Sequence, residues 1–242
     1  STVFWSKCRC CGSFGFPVVS IPLAVMLRVR PLREPDERTS STVPVNTVTG
    51  GTGFTHGVGF YGADFALVSY FGFSEMRNVQ LSTATVLNTI NTSGIGYNGQ
   101  STIAVAPSLQ FAIAATGGSA YVFQAPFSAP TATAIGLPGS VASYQTQAIA
   151  FDAASRAYIA HSGGVSALDP PYTSILFTFP GNFEAIAISP DGNTLLMSTL
   201  ASTIGIATGP FSAATTVTTL TIPGSSGLDG VEPRLRRCAG FG

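Results

Sequence analysis

The chain has 242 residues with 11 basic and 11 acidic side chains, and only 9% of its residues are charged while 45% are hydrophobic. That length suffices for one sizeable core, and the abundance of Phe, Ser, Thr, Ala and Gly favours a folded β protein over a disordered tract. Residues 41–230 hold two basic and seven acidic residues, a net charge of 2 − 7 = −5. No basic stripe is present there, which excludes nucleic-acid binding as the expected function.

Residues 1–40 differ in composition from the rest, and they include an apolar stretch from Phe14 to Leu27. This stretch is 14 residues long and contains two prolines, so it is too short for a transmembrane helix. Its length is closer to the core of a signal peptide, although no small-residue cleavage site follows it. Two interpretations stay open for residues 1–40, a targeting segment or an irregular extension.

The four cysteines all lie near the ends of the chain, at Cys8, Cys10, Cys11 and Cys238. Cys10 and Cys11 are adjacent and no histidine is close in sequence, which argues against a zinc site. The disulfide state of the four residues stays open. The basic tail, residues 231–242, is expected to lie outside the repeated region.

A short apolar phrase recurs four times in the middle of the chain. The copies are Val58-Gly59-Phe60, Ile103-Ala104-Val105, Ile149-Ala150-Phe151 and Ile186-Ala187-Ile188. Each copy is followed by a polar or turn-forming stretch and then by a second apolar run. The first residues are 45, 46 and 37 positions apart. A repeat of about 43 residues predicts a stacked or radial architecture.

The last repeat indicates four short strands. They are predicted at Glu184–Ser189, Thr194–Ser198, Ala201–Ala207 and Thr216–Ile222. The Asp191-Gly192 pair predicts a two-residue hairpin in which both central residues have positive φ. Gly117-Gly118 and Gly163-Gly164 occupy matching places in successive repeats, which predicts a shared tight turn.

Prolines recur at the same period and set the repeat boundaries. Pro126, Pro171 and Pro210 are expected between strands three and four, and Pro138, Pro180 and Pro223 are expected to close strand four. The predicted units are residues 57–100, 101–146, 147–184 and 185–230. A further, partial unit is expected from Val43–Thr49 together with the chain from Leu228 onward.

The repeats resemble the β-propeller repeats of the YVTN and WD-like class. The residues that carry the resemblance are Ala185–Leu196, Ala66–Ser69 and Val79–Ile90, and it extends over roughly residues 41–230. The Trp-Asp pair of the WD pattern is absent, since the single tryptophan is Trp5. The resemblance implies an all-β propeller, or an open propeller arc, of four-stranded antiparallel blades. It implies no particular activity, because propellers host hydrolases, lectins and scaffolds.

Few titratable residues are candidates for catalysis. His161 aligns with Tyr70, Ala115 and Ser198 at the end of strand two, and His56 lies in a turn before strand one, so both are interpreted as structural. The acidic residues fall at unlike repeat positions, which favours turn and loop roles over a converging metal site. No nucleophile elbow or phosphate-binding loop is present. No catalytic residue, metal or cofactor is therefore expected.

The loops that enter each blade carry Tyr97, Tyr144, Phe183 and Glu184, and these residues are predicted to form a partner-binding surface on one face of the disc. The alternative is that each aromatic residue caps its own blade interface. The expected function is a non-enzymatic scaffold that binds a protein through these loops or through an open blade edge. The alternatives are a hydrolase or lactonase-type enzyme with a divalent metal in the channel, and a glycan-binding propeller.

The repeats contain no lysine or cysteine and are rich in Ser and Thr. This composition favours an extracytoplasmic place, periplasmic, lumenal or secreted, and a role as an accessory subunit. A surface with few charges can pack against other components without the cost of removing ions from water.

Overall fold

The structure is a computed structural model that describes residues 55–70, 74–95, 97, 102–128, 132–141, 147–199 and 201–223. Fifteen strands lie in these ranges: β1 Thr55–Phe60, β2 Phe65–Tyr70, β3 Glu75–Gln80, β4 Thr85–Asn91, β5 Thr102–Val105, β6 Phe111–Gln124, β7 Ala132–Val141, β8 Ile149–Phe151, β9 Ala157–His161, β10 Gly164–Leu168, β11 Phe177–Pro180, β12 Ala185–Ile188, β13 Thr194–Ser198, β14 Thr203–Thr208 and β15 Val217–Thr221. The helical structure in the described ranges is one 3-10 turn, Ser93–Ile95.

The strands form four antiparallel sheets in chain order, which we call blades one to four. Blade one is β1–β4, blade two is β5–β7, blade three is β8–β11 and blade four is β12–β15. The first strand of each blade packs against the first strand of the next, β1 on β5, β5 on β8 and β8 on β12. The described blades form an open arc. The all-β prediction, with about four antiparallel blades, is confirmed.

Blade two has three elements because its second and third strands are continuous in β6. The N–H of Ala125 donates to the carbonyl oxygen of Gln110 at 2.8 Å, so the two ends of β6 lie side by side. The chain reverses at Gly117, whose φ is +54°. The first part of β6 pairs with β5 and the second part with β7. Blade two thus follows the same four-strand plan, and the tight turn predicted from the paired glycines is present.

The hairpin between β12 and β13 differs from its sequence prediction. Ser189 and Thr194 close the hairpin through a backbone hydrogen bond of 2.8 Å, so four residues lie between them. Gly192 has a φ of +72°, whereas Asp191 does not have positive φ. The Asp191 carboxylate instead accepts the N–H of Asn193 at 3.1 Å. The prediction of a two-residue turn with two positive φ values was wrong, because the aspartate carboxylate stabilises a longer loop through a local hydrogen bond.

Neighbouring blades are also joined by an aromatic residue that follows a recurring proline. Phe127 of blade two meets Tyr61 of blade one with ring centroids 5.1 Å apart. Tyr172 of blade three meets Phe111 of blade two at 5.2 Å, and Phe211 of blade four meets Tyr158 of blade three at 5.5 Å. Each pair has edge-to-face geometry, which favours aromatic contacts beyond the burial of area. The recurring prolines therefore mark the corners that join one blade to the previous one.

Several predictions concern residues outside the described ranges. These are the segments 1–40 and 231–242, the four cysteines, and the partial unit of Val43–Thr49 with the chain from Leu228 onward. The blade boundaries that were derived from the repeats also stay predictions.

Candidate functional site

The first predicted partner-binding residue, Tyr97, lies in the core. It precedes blade two, its side chain is fully buried, and its carbonyl oxygen accepts the Thr92 hydroxyl at 2.9 Å. Its ring contacts Tyr121 and Phe123, with centroids 5.5 and 6.1 Å away, both on the third strand of blade two. Tyr97 therefore covers the blade that it enters.

Phe183 has the same place in blade four. Its side chain is 6% exposed. A Cβ atom added at Gly205 on β14 would lie 3.1 Å from its ring atom Cε1, and one added at Gly181 would lie 2.3 Å from Cε2. The ring thus lies directly over the backbone of the third strand, which explains why glycine occupies both positions.

The burial of Tyr97 and Phe183 corrects the expectation that these aromatic rings are exposed on the loop face. Their positions match the alternative in which each aromatic caps its own blade, because a large ring removes more apolar area from water there than on a loop surface. Glu184 stays partly exposed, and its N–H donates to the carbonyl oxygen of Ser198 at 2.9 Å. Tyr144 lies outside the described residues. Partner binding at these loops stays a prediction.

The sequence alignment of His161 with Ala115 and Ser198 was wrong by one position, whereas its alignment with Tyr70 agrees with the strand register. Ala185 and Thr102 are the first residues of the inner strands β12 and β5. The strand register pairs Ala185 with Ser198 and Thr102 with Ala115. The corresponding residue of blade three is Ala148, directly before β8. Its carbonyl oxygen accepts the N–H of Ala160 rather than that of His161. A single-residue slip reverses the face on which a side chain lies.

His161 is fully buried and belongs to a chain of hydrogen bonds. Its Nδ1 accepts the N–H of Gly163 at 3.1 Å, so its Nε2 carries the proton and donates to the Ser166 hydroxyl at 2.8 Å. The Ser166 oxygen lies 3.0 Å from the Thr178 hydroxyl. Burial lowers the pKa of His161 to about 4, so the ring is neutral at physiological pH.

This serine–histidine pair does not have the geometry of an activated nucleophile. A general base must accept the hydroxyl proton, whereas Nε2 of His161 already donates to Ser166. In an activated pair the Nδ1–H of the histidine donates to a carboxylate, which orients the ring. Here Nδ1 of His161 instead accepts the backbone N–H of Gly163. Both side chains are also fully buried, so no substrate reaches them. The network stabilises blade three.

The acidic residues are engaged in turns and in ion pairs, among them Glu75 with Arg77 at 2.7 Å. Asp64 accepts the N–H and the hydroxyl of Ser82 at 2.6 and 2.7 Å, which lowers the pKa of its carboxyl group. Asp169 pairs with Arg156 at 2.5 Å, and Asp152 accepts the N–H of Arg156 at 2.8 Å. Within the described ranges, no three His, Cys, Asp or Glu residues are grouped so that they could hold a metal ion.

The inner strands present an apolar surface. Ala104 and Val105 on β5, like the corresponding residues of β8 and β12, are partly exposed. On β1 the exposure is greater, since Phe60 is 65% exposed. This surface offers no group for acid–base chemistry, but an exposed apolar strip is typical of a binding surface.

A cavity of about 510 Å³ lies on the outer side of blade four, between β14 and β15 and the loop that joins them. Hydroxyl side chains contribute much of its lining, and no charged residue contributes. These hydroxyl residues are Thr208, Ser212, Thr215, Thr216 and Thr218. Two of them stabilise the loop itself, because the N–H of Ser212 donates to the Thr215 hydroxyl at 2.9 Å.

No helix in the described part of the chain has the length and apolar character to cross a membrane.

Comparison with solved structures places the chain in the β-propeller fold. It is similar to the beta-propeller domain of Cps50 (Swd1) from Myceliophteria thermophila, with a TM-score of 0.54 and 11% sequence identity. The match covers 72% of this chain and 60% of that domain. At this identity the likeness shows the fold alone. The chain is a propeller-type repeat protein.

No protein-family model matches the chain. No curated protein sequence matches it either.

Proposed function

We propose that the protein is a non-enzymatic interaction module that binds a protein partner, through its open blade edge or through the loops that enter the blades. The observation that carries this proposal is the exposed apolar pair Val58 and Phe60 on the inner strand of blade one. Apolar side chains that remain exposed in a rigid β scaffold lower the free energy of association when a partner covers them. The scarcity of converging titratable groups supports the same function.

Affinity capture with the tagged full chain, followed by quantitative mass spectrometry, tests the proposal. Phe60→Asp alters the blade edge, and Glu184→Lys alters the loop face. Leu176→Asp is the matched control, because Leu176 is 53% exposed and lies between β10 and β11, away from both surfaces. We expect a partner in near-stoichiometric amount that one of the first two variants loses and the control retains. Equal capture by all variants would contradict the proposal.

We also propose that the chain belongs to the YVTN and WD-like class and acts outside the cytoplasm as an accessory subunit. The support is the low charge and the absence of lysine and cysteine in the repeats. A fusion of the full chain to alkaline phosphatase, which folds only in an oxidising compartment, tests the place. We expect phosphatase activity in intact cells. Activity that appears only after the cells are lysed without a reducing agent would contradict the extracytoplasmic place.

A further inference from the structure

The outer strand of blade one leads into the tripeptide Asn91-Thr92-Ser93. An asparagine followed by any residue except proline, and then by serine or threonine, is the acceptor sequence for N-linked glycans. No other asparagine in the chain has a serine or threonine two positions later. Asn91 is the last residue of β4, and Ser93 begins the 3-10 turn that follows. The sequence thus contains one acceptor, and it lies where a strand passes into a loop.

The backbone of this tripeptide is held in place while its two end residues stay exposed. Asn91 and Ser93 are exposed, whereas Thr92 between them is fully buried. The N–H of Thr92 donates to the carbonyl oxygen of Ser74 at 2.7 Å, and its hydroxyl donates to the carbonyl oxygen of Tyr97 at 2.9 Å. Because Thr92 takes the inner side, the side chains of its two neighbours remain on the solvent side.

The side-chain amide of Asn91 has its oxygen engaged and its nitrogen available. Oδ1 of Asn91 accepts the N–H of Ser93 at 3.0 Å and the hydroxyl of Ser93 at 2.8 Å. Within the described ranges, Nδ2 of Asn91 donates to no acceptor. The hydroxyl that the acceptor sequence requires is therefore in contact with the amide group that would be modified, and the nitrogen that would carry the sugar is not engaged.

Other asparagines lack part of this arrangement. Asn88 lies on the same strand, but its amide nitrogen donates to a backbone carbonyl oxygen of blade two at 3.2 Å, and Ile90 stands two positions later. Asn182, in the loop that enters blade four, is exposed, but Glu184 stands two positions later. Of the described asparagines, Asn91 alone combines exposure, an unengaged amide nitrogen and the hydroxyl.

We propose that Asn91 is a glycosylation site and that the protein carries one N-linked oligosaccharide there. The donor is an oligosaccharide joined through a diphosphate to a polyprenyl carrier. Nδ2 of Asn91 forms a bond to the anomeric carbon of the first sugar, and the bond from that carbon to the diphosphate oxygen breaks. The polyprenyl diphosphate leaves with the bonding electrons, and the proton lost from Nδ2 passes to a base of the transferase. This inference rests on the extracytoplasmic place proposed above, because N-glycosylation acceptors are used in secreted proteins.

A glycan at Asn91 leaves the proposed partner surface accessible. The strand register places Asn91 beside Glu75 at one end of the blade, on its outermost strand. Phe60 pairs with Ala66 near the other end, on the innermost strand. The outer edge of β4 pairs with no strand in the described part of the chain, and a bulky, hydrated sugar at its end hinders another chain from pairing there.

Peptide mass spectrometry of the full chain, secreted by cells that attach N-linked glycans, tests the site. A cleavable signal peptide is placed before the chain, so that the result does not depend on how the chain itself is targeted. Peptide N-glycosidase in heavy-oxygen water converts a glycosylated asparagine into a labelled aspartate. We expect this label at Asn91 in most molecules, with a single increase in electrophoretic mobility when the glycan is released. An unlabelled Asn91 in the secreted chain would overturn the proposal.

Variants of the full chain test the assignment to this tripeptide. Asn91→Gln and Ser93→Ala should each lose the glycan, the second because it removes the hydroxyl and keeps the asparagine. Ser93→Thr should retain the glycan. Asn182→Gln is the matched control, because Asn182 is an exposed asparagine without the hydroxyl two positions later, and it should also retain the glycan. A mobility change that persists in Asn91→Gln, or that is lost in Asn182→Gln, would overturn the assignment.

The site and the proposed place fail separately. An active phosphatase fusion together with an unlabelled Asn91 would overturn the glycosylation site alone. A labelled Asn91 together with an inactive fusion would show that the chain accepts a glycan only when another signal directs it, which overturns both the extracytoplasmic place and the natural modification. Partner capture that depends on Phe60 is unaffected by either result.

Discussion

Lowering the pH from about 7.5 to 5.0 should weaken the fold through one buried side chain, His161. The ring is fully buried between the N–H of Gly163 and the hydroxyl of Ser166, and both of its nitrogens are engaged. A proton added at Nδ1 would displace the accepted N–H of Gly163 and leave a charge in the core. The neutral form is therefore strongly favoured in the folded state.

The magnitude follows from the difference between folded and unfolded pKa values. Burial lowers the pKa of His161 from 6.5 to about 4. Between these values the unfolded chain binds the proton and the folded chain does not, so stability is complete above pH 6.5 and is lost as the pH falls toward 4. From about pH 7.5 to 5.0 the free energy of unfolding should decrease by about 2 kcal/mol, or roughly thirtyfold in the folding equilibrium.

Urea unfolding followed by circular dichroism at four pH values in this range measures the effect. His56→Gln should keep the dependence, because His161 remains, whereas His161→Gln should lower stability at pH 7.5 and flatten the slope. The carboxyl groups of Asp64 and Asp191 have lowered pKa values, so they stay ionised throughout the window. A decrease below about 0.5 kcal/mol in His56→Gln, or an unchanged slope in His161→Gln, would refute the reasoning.

Three further substitutions test the blade packing by thermal or urea unfolding. Gly164→Ala should destabilise by more than about 2 kcal/mol, because φ is +137° and the new Cβ would lie 1.9 Å from the carbonyl oxygen of Phe179. Gly62→Ala, at a φ of +75° with open space around it, should cost only about 1 kcal/mol, and equal losses would contradict the clash. Tyr172→Phe should cost about 1 kcal/mol, since it removes the hydrogen bond to the Ser155 carbonyl and keeps the ring against Phe111. No loss in Tyr172→Phe would show that water replaces the hydroxyl.

The strands were predictable because local patterns determine them. In the last repeat the four predicted strands correspond to β12, β13, β14 and β15, each within two residues at either end. Alternation and turn residues act over a few positions, so one repeat contains its own signal. The turn at Asp191 was misread because its carboxylate competes for backbone N–H groups, and that competition depends on three-dimensional geometry.

The candidate site was less predictable, because burial between blades depends on residues far apart in sequence. Tyr97 and Phe183 lie on loops, where sequence favours exposure, yet both rings lie on the third strand of the blade that follows. One signal could have indicated this for Phe183, since glycine stands in the middle of the predicted third strand at Gly205. The His161 error had another cause, since aligning repeats by residue similarity does not fix a strand register to one position.

The recurring phrase specifies packing as well as period. In a strand the first and third side chains lie on one face and the second on the other, so large–small–large places two large residues toward one neighbour and a small residue toward the opposite neighbour. Ile103 and Val105 lie on Gly59 in this way. Inner strands approach closely only if a small residue meets a large one, because two large residues would overfill the space. Each copy therefore specifies both an inner strand and the side of that strand on which the next blade packs. This holds for the first and the last described blades as well.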